Sequence, residues 1–116
     1  MNYKLIKLEY LESVASGDKD TIKELYVLFR DQAKEISDEM RRLLGEKDYY
    51  NLGLLAHKAK SSVAILGMEE LAAMLKTFEL QAKNNEEPDK YSWYIDKYDH
   101  DTAEAVKEME HYLGLS

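Results

Sequence analysis

Apolar residues recur at intervals of three and four between residues 22 and 44, and this repeat limits the fold more than any other feature of the sequence. The interval matches one face of an α-helix, so the stretch predicts a single long amphipathic helix. Asp18 and Asp20 can cap its first turn, and Gly45 marks its end. The predicted inward positions are Ile22, Leu25, Tyr26, Phe29, Ala33, Ile36, Met40, Leu43 and Leu44.

Three more segments have the same helical spacing, and a short helical segment precedes all four. Asp48 can cap the third helix, Gly67 stops it, and Pro88 lies in the loop before the last helix. Because four long helices are joined by short connections, the sequence predicts an all-α, antiparallel up-down four-helix bundle with a short N-terminal helix. The other predicted helical segments are residues 8–15, 48–66, 69–82 and 91–113.

Length and composition exclude several classes of protein. The 116 residues suit a single domain, predicted to span 1–116, and 5 Gly and 1 Pro are too few for a sandwich of many short strands. A net charge of −7 has the wrong sign for binding nucleic acid or an anionic membrane surface. The lack of cysteine excludes disulfides, thiolate zinc sites and iron–sulfur clusters. Since no signal peptide or apolar run of about 18 residues occurs, we expect a cytoplasmic protein. We also expect it to be a monomer.

His57 is predicted to lie on the outer face of the third helix. At about 100° per residue, the apolar residues between positions 52 and 66 occupy an arc on the opposite side. Gly53, Ser61 and Ala64 share the side of His57, so the imidazole lies among small residues. Gly53 costs the helix about 1 kcal/mol relative to alanine, which is easier to understand if something must approach closely there.

The sequence around His57 is positively charged although the chain is acidic. Between Tyr49 and Gly67 there is no Asp or Glu, and Lys58 and Lys60 are the charged residues. A neutral imidazole is nucleophilic near pH 7, and lysines offset the charge of a phosphoryl adduct. The pattern therefore suits a group that accepts and releases a phosphoryl. From position alone, an incidental surface histidine is the alternative interpretation.

Other polar groups give weaker signals. Glu108 and His111 have the i, i+3 spacing of a di-iron ligand pair, but neither His57 nor His100 has a glutamate three residues before it, so we predict no metal site. His100 and Lys83 are interpreted as parts of a solvated polar surface. No glycine-rich phosphate loop or nucleophile–base spacing occurs, so we predict no kinase or hydrolase activity of the chain itself.

Residues 56–67 read Ala-His-Lys-Ala-Lys-Ser-Ser-Val-Ala-Ile-Leu-Gly, and a leucine stands at position 71. This stretch resembles the signature of histidine-containing phosphotransfer (HPt) domains, Ala-His-x-Leu-Lys-Gly-Ser-x-x-x-x-Gly followed by a leucine four residues later. The resemblance extends over residues 8–113 and is strongest over 48–79. Two positions depart from the family pattern: Ala59 stands in place of leucine and Ser61 in place of glycine, and we expect the serine to reduce the clearance beside the histidine.

The resemblance implies a role for individual residues. His57 would be the phosphoacceptor, and Lys60 would meet the phosphoryl group or the acidic pocket of the partner. Glu79 would hydrogen-bond the far imidazole nitrogen and leave the outer nitrogen to react. Gly67 would let the next helix pack closely.

The resemblance also implies a function and partners. The chain would be a phosphorelay intermediate that takes a phosphoryl group from a receiver-domain phosphoaspartate of a hybrid histidine kinase and passes it to a response-regulator receiver. It would have no cofactor of its own, since the receiver would supply Mg²⁺. The alternative is an interaction module that binds receiver or kinase domains without relaying phosphate.

A second apolar strip beside His57 predicts where the partner docks. Leu54 and Ile65 lie about 60° to 80° from His57 on the helical wheel, Ala64 lies beside it, and Met68 would follow if the helix continued past Gly67. We expect Gly53, Leu54, Lys58, Ser61, Ala64 and Met68 to form the binding surface. Leu54 and Ile65 could instead pack against a neighbouring helix.

Overall fold

A computed structural model describes residues 3–115 of the chain. Each predicted helical segment forms a helix, and a 3₁₀ turn over Pro88–Lys90 follows the loop predicted around Pro88. The helices are α1 (Leu8–Val14), α2 (Lys19–Gly45), α3 (Tyr49–Ala64), α4 (Glu69–Lys83) and α5 (Tyr91–Leu113).

The four long helices form the predicted bundle. Each of α2 to α5 packs against the helix before or after it in the chain, and α5 closes the bundle against α2. The described residues contain no strand, and the molecule measures 42 × 21 × 19 Å, about the length of the 27-residue α2. The all-α fold class predicted from the sequence is therefore confirmed. The inward positions predicted from helical spacing are all buried or half-buried.

Local residues mark the start of α2 and both ends of α3. Asp18 caps α2 by accepting a hydrogen bond from the Asp20 amide at 3.0 Å, and Asp48 caps α3. Gly67 adopts φ +74° after α3, and the amide of Met68 donates to the Val63 carbonyl at 3.3 Å. This is the six-to-one bond of a Schellman turn, which reverses the chain so that α4 returns beside α3.

Residues 4–6 are held against α5 by hydrogen bonds to one carboxylate. Glu108 accepts hydrogen bonds from the amides of Lys4, Leu5 and Ile6 at 3.0–3.1 Å, and Ile6 is buried. The hydroxyl of Tyr3 lies 3.0 Å from Nδ1 of His111. The two residues whose spacing resembled a metal-ligand pair therefore bind the start of the chain.

We expect Glu108→Ala to lower the free energy of unfolding by about 1–3 kcal/mol, because three amide donors lose a charged acceptor. Denaturant unfolding measures this change, and hydrogen exchange at residues 4–6 should accelerate. Glu104→Ala on the same helix removes an exposed carboxylate paired with Lys107 and serves as the control. Equal stability of the two variants would show that the segment is not held by Glu108.

Candidate functional site

The site is built where α4 packs tightly against α3 at Gly53. A Cβ atom at this position would lie 2.8 Å from Cγ of Lys83 and 2.9 Å from the carbonyl oxygen of Glu79. Gly53 is buried, which corrects the prediction that it lies on an open surface beside His57. The close approach inferred from this glycine is real, but the group that approaches is the backbone of α4 and not a phosphoryl group.

This contact brings Glu79 of α4 under the imidazole of His57. Nδ1 of His57 lies 3.0 Å from Oε1 and 3.2 Å from Oε2 of Glu79. The His57 side chain is 55% exposed, whereas that of Glu79 is only 9% exposed. The imidazole therefore has Nδ1 against a buried carboxylate and, on the opposite side of the ring, Nε2 away from it.

Two lysines lie beside the same carboxylate. Nζ of Lys83 is 2.7 Å from Oε2 of Glu79, and Nζ of Lys60 is 3.9 Å from Oε1. Burial raises the pKa of Glu79, but the hydrogen bonds from Lys83 and His57 outweigh that effect and hold the pKa below its usual value. Glu79 is therefore an anion at neutral pH. A carboxylate only accepts hydrogen bonds, so this contact selects the tautomer with a proton on Nδ1 of His57, and in the neutral form of that tautomer Nε2 keeps its lone pair.

Lys83 is the member of the site that the sequence reading missed. Its interpretation as a solvated charge was wrong, because its side chain is only 29% exposed and forms an ion pair with Glu79. The four-residue spacing from Glu79 to Lys83 is typical of helical ion pairs and was the available signal.

The remaining residues of the predicted binding surface are exposed, with one exception. Lys58, Leu54, Ala64 and Ile65 are exposed. Ser61 is exposed as well, and its hydroxyl donates to the carbonyl of His57 at 3.4 Å.

Met68 does not lie on this surface, contrary to the prediction. It is 3% exposed and belongs to the hydrophobic core at the start of α4. The reason is that α3 ends at Ala64 and the left-handed Gly67 redirects the chain. The face shared by His57 and Ala64 therefore does not continue to Met68.

The sequence of residues 24–113 matches the Hpt domain family. This chain belongs to that family. Neither a curated protein nor a solved structure gives a significant match. Hpt domains are phosphocarriers of two-component phosphorelays, so this Hpt domain takes part in that type of signalling with receiver- or kinase-type partners. The histidine signature, the helical bundle and the family match therefore agree.

Two further features of this Hpt domain concern metals and membranes. Across residues 3–115, no cluster of three or more His, Asp or Glu side chains is arranged to hold a metal ion. None of the helices in this range combines the length and apolarity that crossing a bilayer requires.

We expect Gly53→Ala to destabilise the protein, since its Cβ would press on backbone atoms of α4 that cannot rotate away. Overpacking costs roughly 1–3 kcal/mol, and the rigid neighbour favours the upper part of that range. This loss exceeds the gain of about 1 kcal/mol in helix propensity. Gly45→Ala is the matched control, because its Cβ would meet nothing within 4 Å, and it should stabilise. If denaturant unfolding shows stabilisation by both variants, the α3–α4 contact is not tight.

Proposed function

We propose that this Hpt domain is a phosphorelay intermediate in which His57 accepts a phosphoryl group from a receiver-domain phosphoaspartate and passes it to the aspartate of a second receiver. The observation that supports the proposal is the orientation of the imidazole. Glu79 holds Nδ1 with its proton, and the lone pair on Nε2 is left on the exposed side of the ring.

In the proposed step, the Nε2 lone pair attacks the phosphorus atom, the N–P bond forms, and the bond to the aspartyl oxygen breaks. The receiver carboxylate leaves as an anion, and the imidazole ring gains a positive charge. Nδ1 keeps its proton and donates a hydrogen bond to Glu79, and the negative charge of that carboxylate offsets the positive charge on the ring. The second transfer reverses these events on another receiver aspartate.

Lys60 is proposed to contact the transferred phosphoryl group. Its Nζ lies 3.9 Å from Glu79, a distance that leaves it outside close hydrogen bonding, and its side chain is partly exposed beside His57. An ammonium group at this position offsets phosphoryl charge as the group moves. In this proposal the receiver domain supplies the Mg²⁺.

The proposed docking surface consists of the exposed residues Leu54, Ser61, Ala64 and Ile65 around His57. Apolar side chains exposed beside a reactive group commonly form a partner interface. Relay contacts are transient, so we expect the interface to be small and a few central residues to dominate binding. A monomeric state and a cytoplasmic location stay predictions.

The second candidate function, an interaction module without relay, depends on Ser61. Its hydroxyl donates a hydrogen bond to the backbone carbonyl of His57, which keeps the serine side chain close to the backbone of α3. This geometry favours reduced clearance over a blocked imidazole. We therefore propose relay as the function.

We expect His57→Gln to abolish phosphorylation while leaving the circular dichroism spectrum and melting temperature nearly unchanged, because the side chain is exposed. The assay incubates the protein with a phosphorylated receiver and Mg²⁺ and measures acid-labile, base-stable label. His100→Gln, on α5, is the control and should label normally. Label retained in His57→Gln would assign the phosphoacceptor elsewhere.

We expect Ala64→Glu to weaken receiver binding at least several-fold with little change in melting temperature, since Ala64 is exposed beside His57. Met68→Glu should instead unfold or strongly destabilise the bundle, because it buries an unpaired charge. Titration of a receiver and thermal unfolding measure the two effects. Unchanged affinity of Ala64→Glu would place the docking surface elsewhere.

A further inference from the structure

We propose that Lys83 is a positioning residue: it holds Glu79 in the orientation that binds Nδ1 of His57 and thereby leaves Lys60 free to meet the phosphoryl group. The inference rests on the relay function proposed above and deepens it. Lys83 itself touches neither the imidazole nor the transferred group in this scheme.

Lys83 lies much closer to the Glu79 carboxylate than Lys60 does. Oε2 of Glu79 lies 2.7 Å from Nζ of Lys83 and 3.2 Å from Nδ1 of His57, whereas Oε1 lies 3.0 Å from Nδ1 and 3.9 Å from Nζ of Lys60. Lys83 is thus the close cation of Oε2, and the shorter contact of the imidazole is with Oε1. Lys60 is near the carboxylate but too far from it to form a hydrogen bond.

The position of Lys83 is restricted by α3. A Cβ atom on Gly53 would lie only 2.8 Å from Cγ of Lys83. The aliphatic part of the lysine side chain therefore packs against α3 at this glycine. An ordinary helical ion pair such as Glu104–Lys107 has both side chains exposed and contributes little. The Glu79–Lys83 pair is instead largely buried, and its geometry is set by packing before any partner arrives.

Loss of Lys83 would leave an ionised, buried carboxylate without its closest cation, and Oε2 would keep only its 3.2 Å contact with Nδ1 of His57. Such a group is costly, so the nearest remaining cation should move toward it. That cation is Lys60, which needs to close only about 1 Å to reach hydrogen-bond distance. Lys60 would then compete with Nδ1 for Glu79 and be withdrawn from the phosphoryl group.

The test uses Lys83→Met, which keeps the apolar stem over Gly53 and removes the charge. Lys83→Arg is the conservative variant, and Lys107→Met removes an exposed lysine from α5 as a charge-matched control. Nitrogen NMR spectra of the His57 ring at about pH 8.5, two units above the ordinary histidine pKa, report which ring nitrogen carries the proton. Rates of transfer from a saturating phosphorylated receiver report the chemical step.

We expect Lys83→Met to reduce the population of the Nδ1–H form and to slow transfer roughly tenfold. Loss of the group that orients a functional histidine has an effect of this size at metal sites. Receiver affinity should change little. Lys83→Arg should restore both the ring spectrum and the rate, and Lys107→Met should match the wild type. Adding Lys60→Met to Lys83→Met should restore the Nδ1–H form without restoring the rate, because the competing ammonium is gone.

Failure of this inference is distinguishable from failure of the proposed function. If the wild-type protein accepts no phosphoryl from any phosphorylated receiver, the relay function is wrong. If the wild type transfers but Lys83→Met shows a wild-type ring spectrum or a wild-type rate, the positioning role is overturned. A slower rate that follows only a lower melting temperature, with the ring spectrum unchanged, would make Lys83 a structural residue and would also overturn it.

Discussion

The close packing of α4 on α3 at Gly53 is the constraint on which the site depends. With no side chain at this position, the Glu79 carbonyl can approach to a distance that a Cβ atom would not tolerate. The same approach places the Glu79 carboxylate against Nδ1 of His57. An exposed histidine on an acidic helical protein would otherwise be a mobile side chain with either tautomer available. The packing at Gly53 therefore determines which group lies against Nδ1 of His57.

A buried carboxylate is costly unless charged partners compensate for its lost hydration. Two ammonium groups and the imidazole of His57 lie around Glu79, and they differ in distance and exposure. The hydrogen bond from Lys83 is the largest single contribution that lowers the pKa of Glu79. The result is an anion that stays ionised in the interior and can stabilise positive charge on the ring. A chain with net charge −7 thus presents an exposed histidine with lysines close to its buried carboxylate partner.

Much of the fold was predictable because helical periodicity is local. The spacing of apolar residues on α2 identified a helix whose predicted inward positions are all buried or half-buried, and capping by Asp18 and termination at Gly45 agreed with the structure. His57 was identified in the same way, from its place opposite the apolar arc. Prediction failed at Met68 because a wheel assumes a continuous helix, whereas the left-handed Gly67 ends α3 and sends the chain into the core.

The sequence by itself determined the helices, their inward faces, the histidine signature and the family resemblance, because each depends on residues within a few turns of one another. The resemblance also indicated the contact of Glu79 with the imidazole, but only the tertiary structure showed how that contact is packed. Whether Gly53 faces a ligand or a helix, and how far the Glu79–Lys83 pair is shielded from solvent, depends on how closely α4 packs against α3. That distance is set by contacts between residues on separate helices, and no pattern within either helix specifies it.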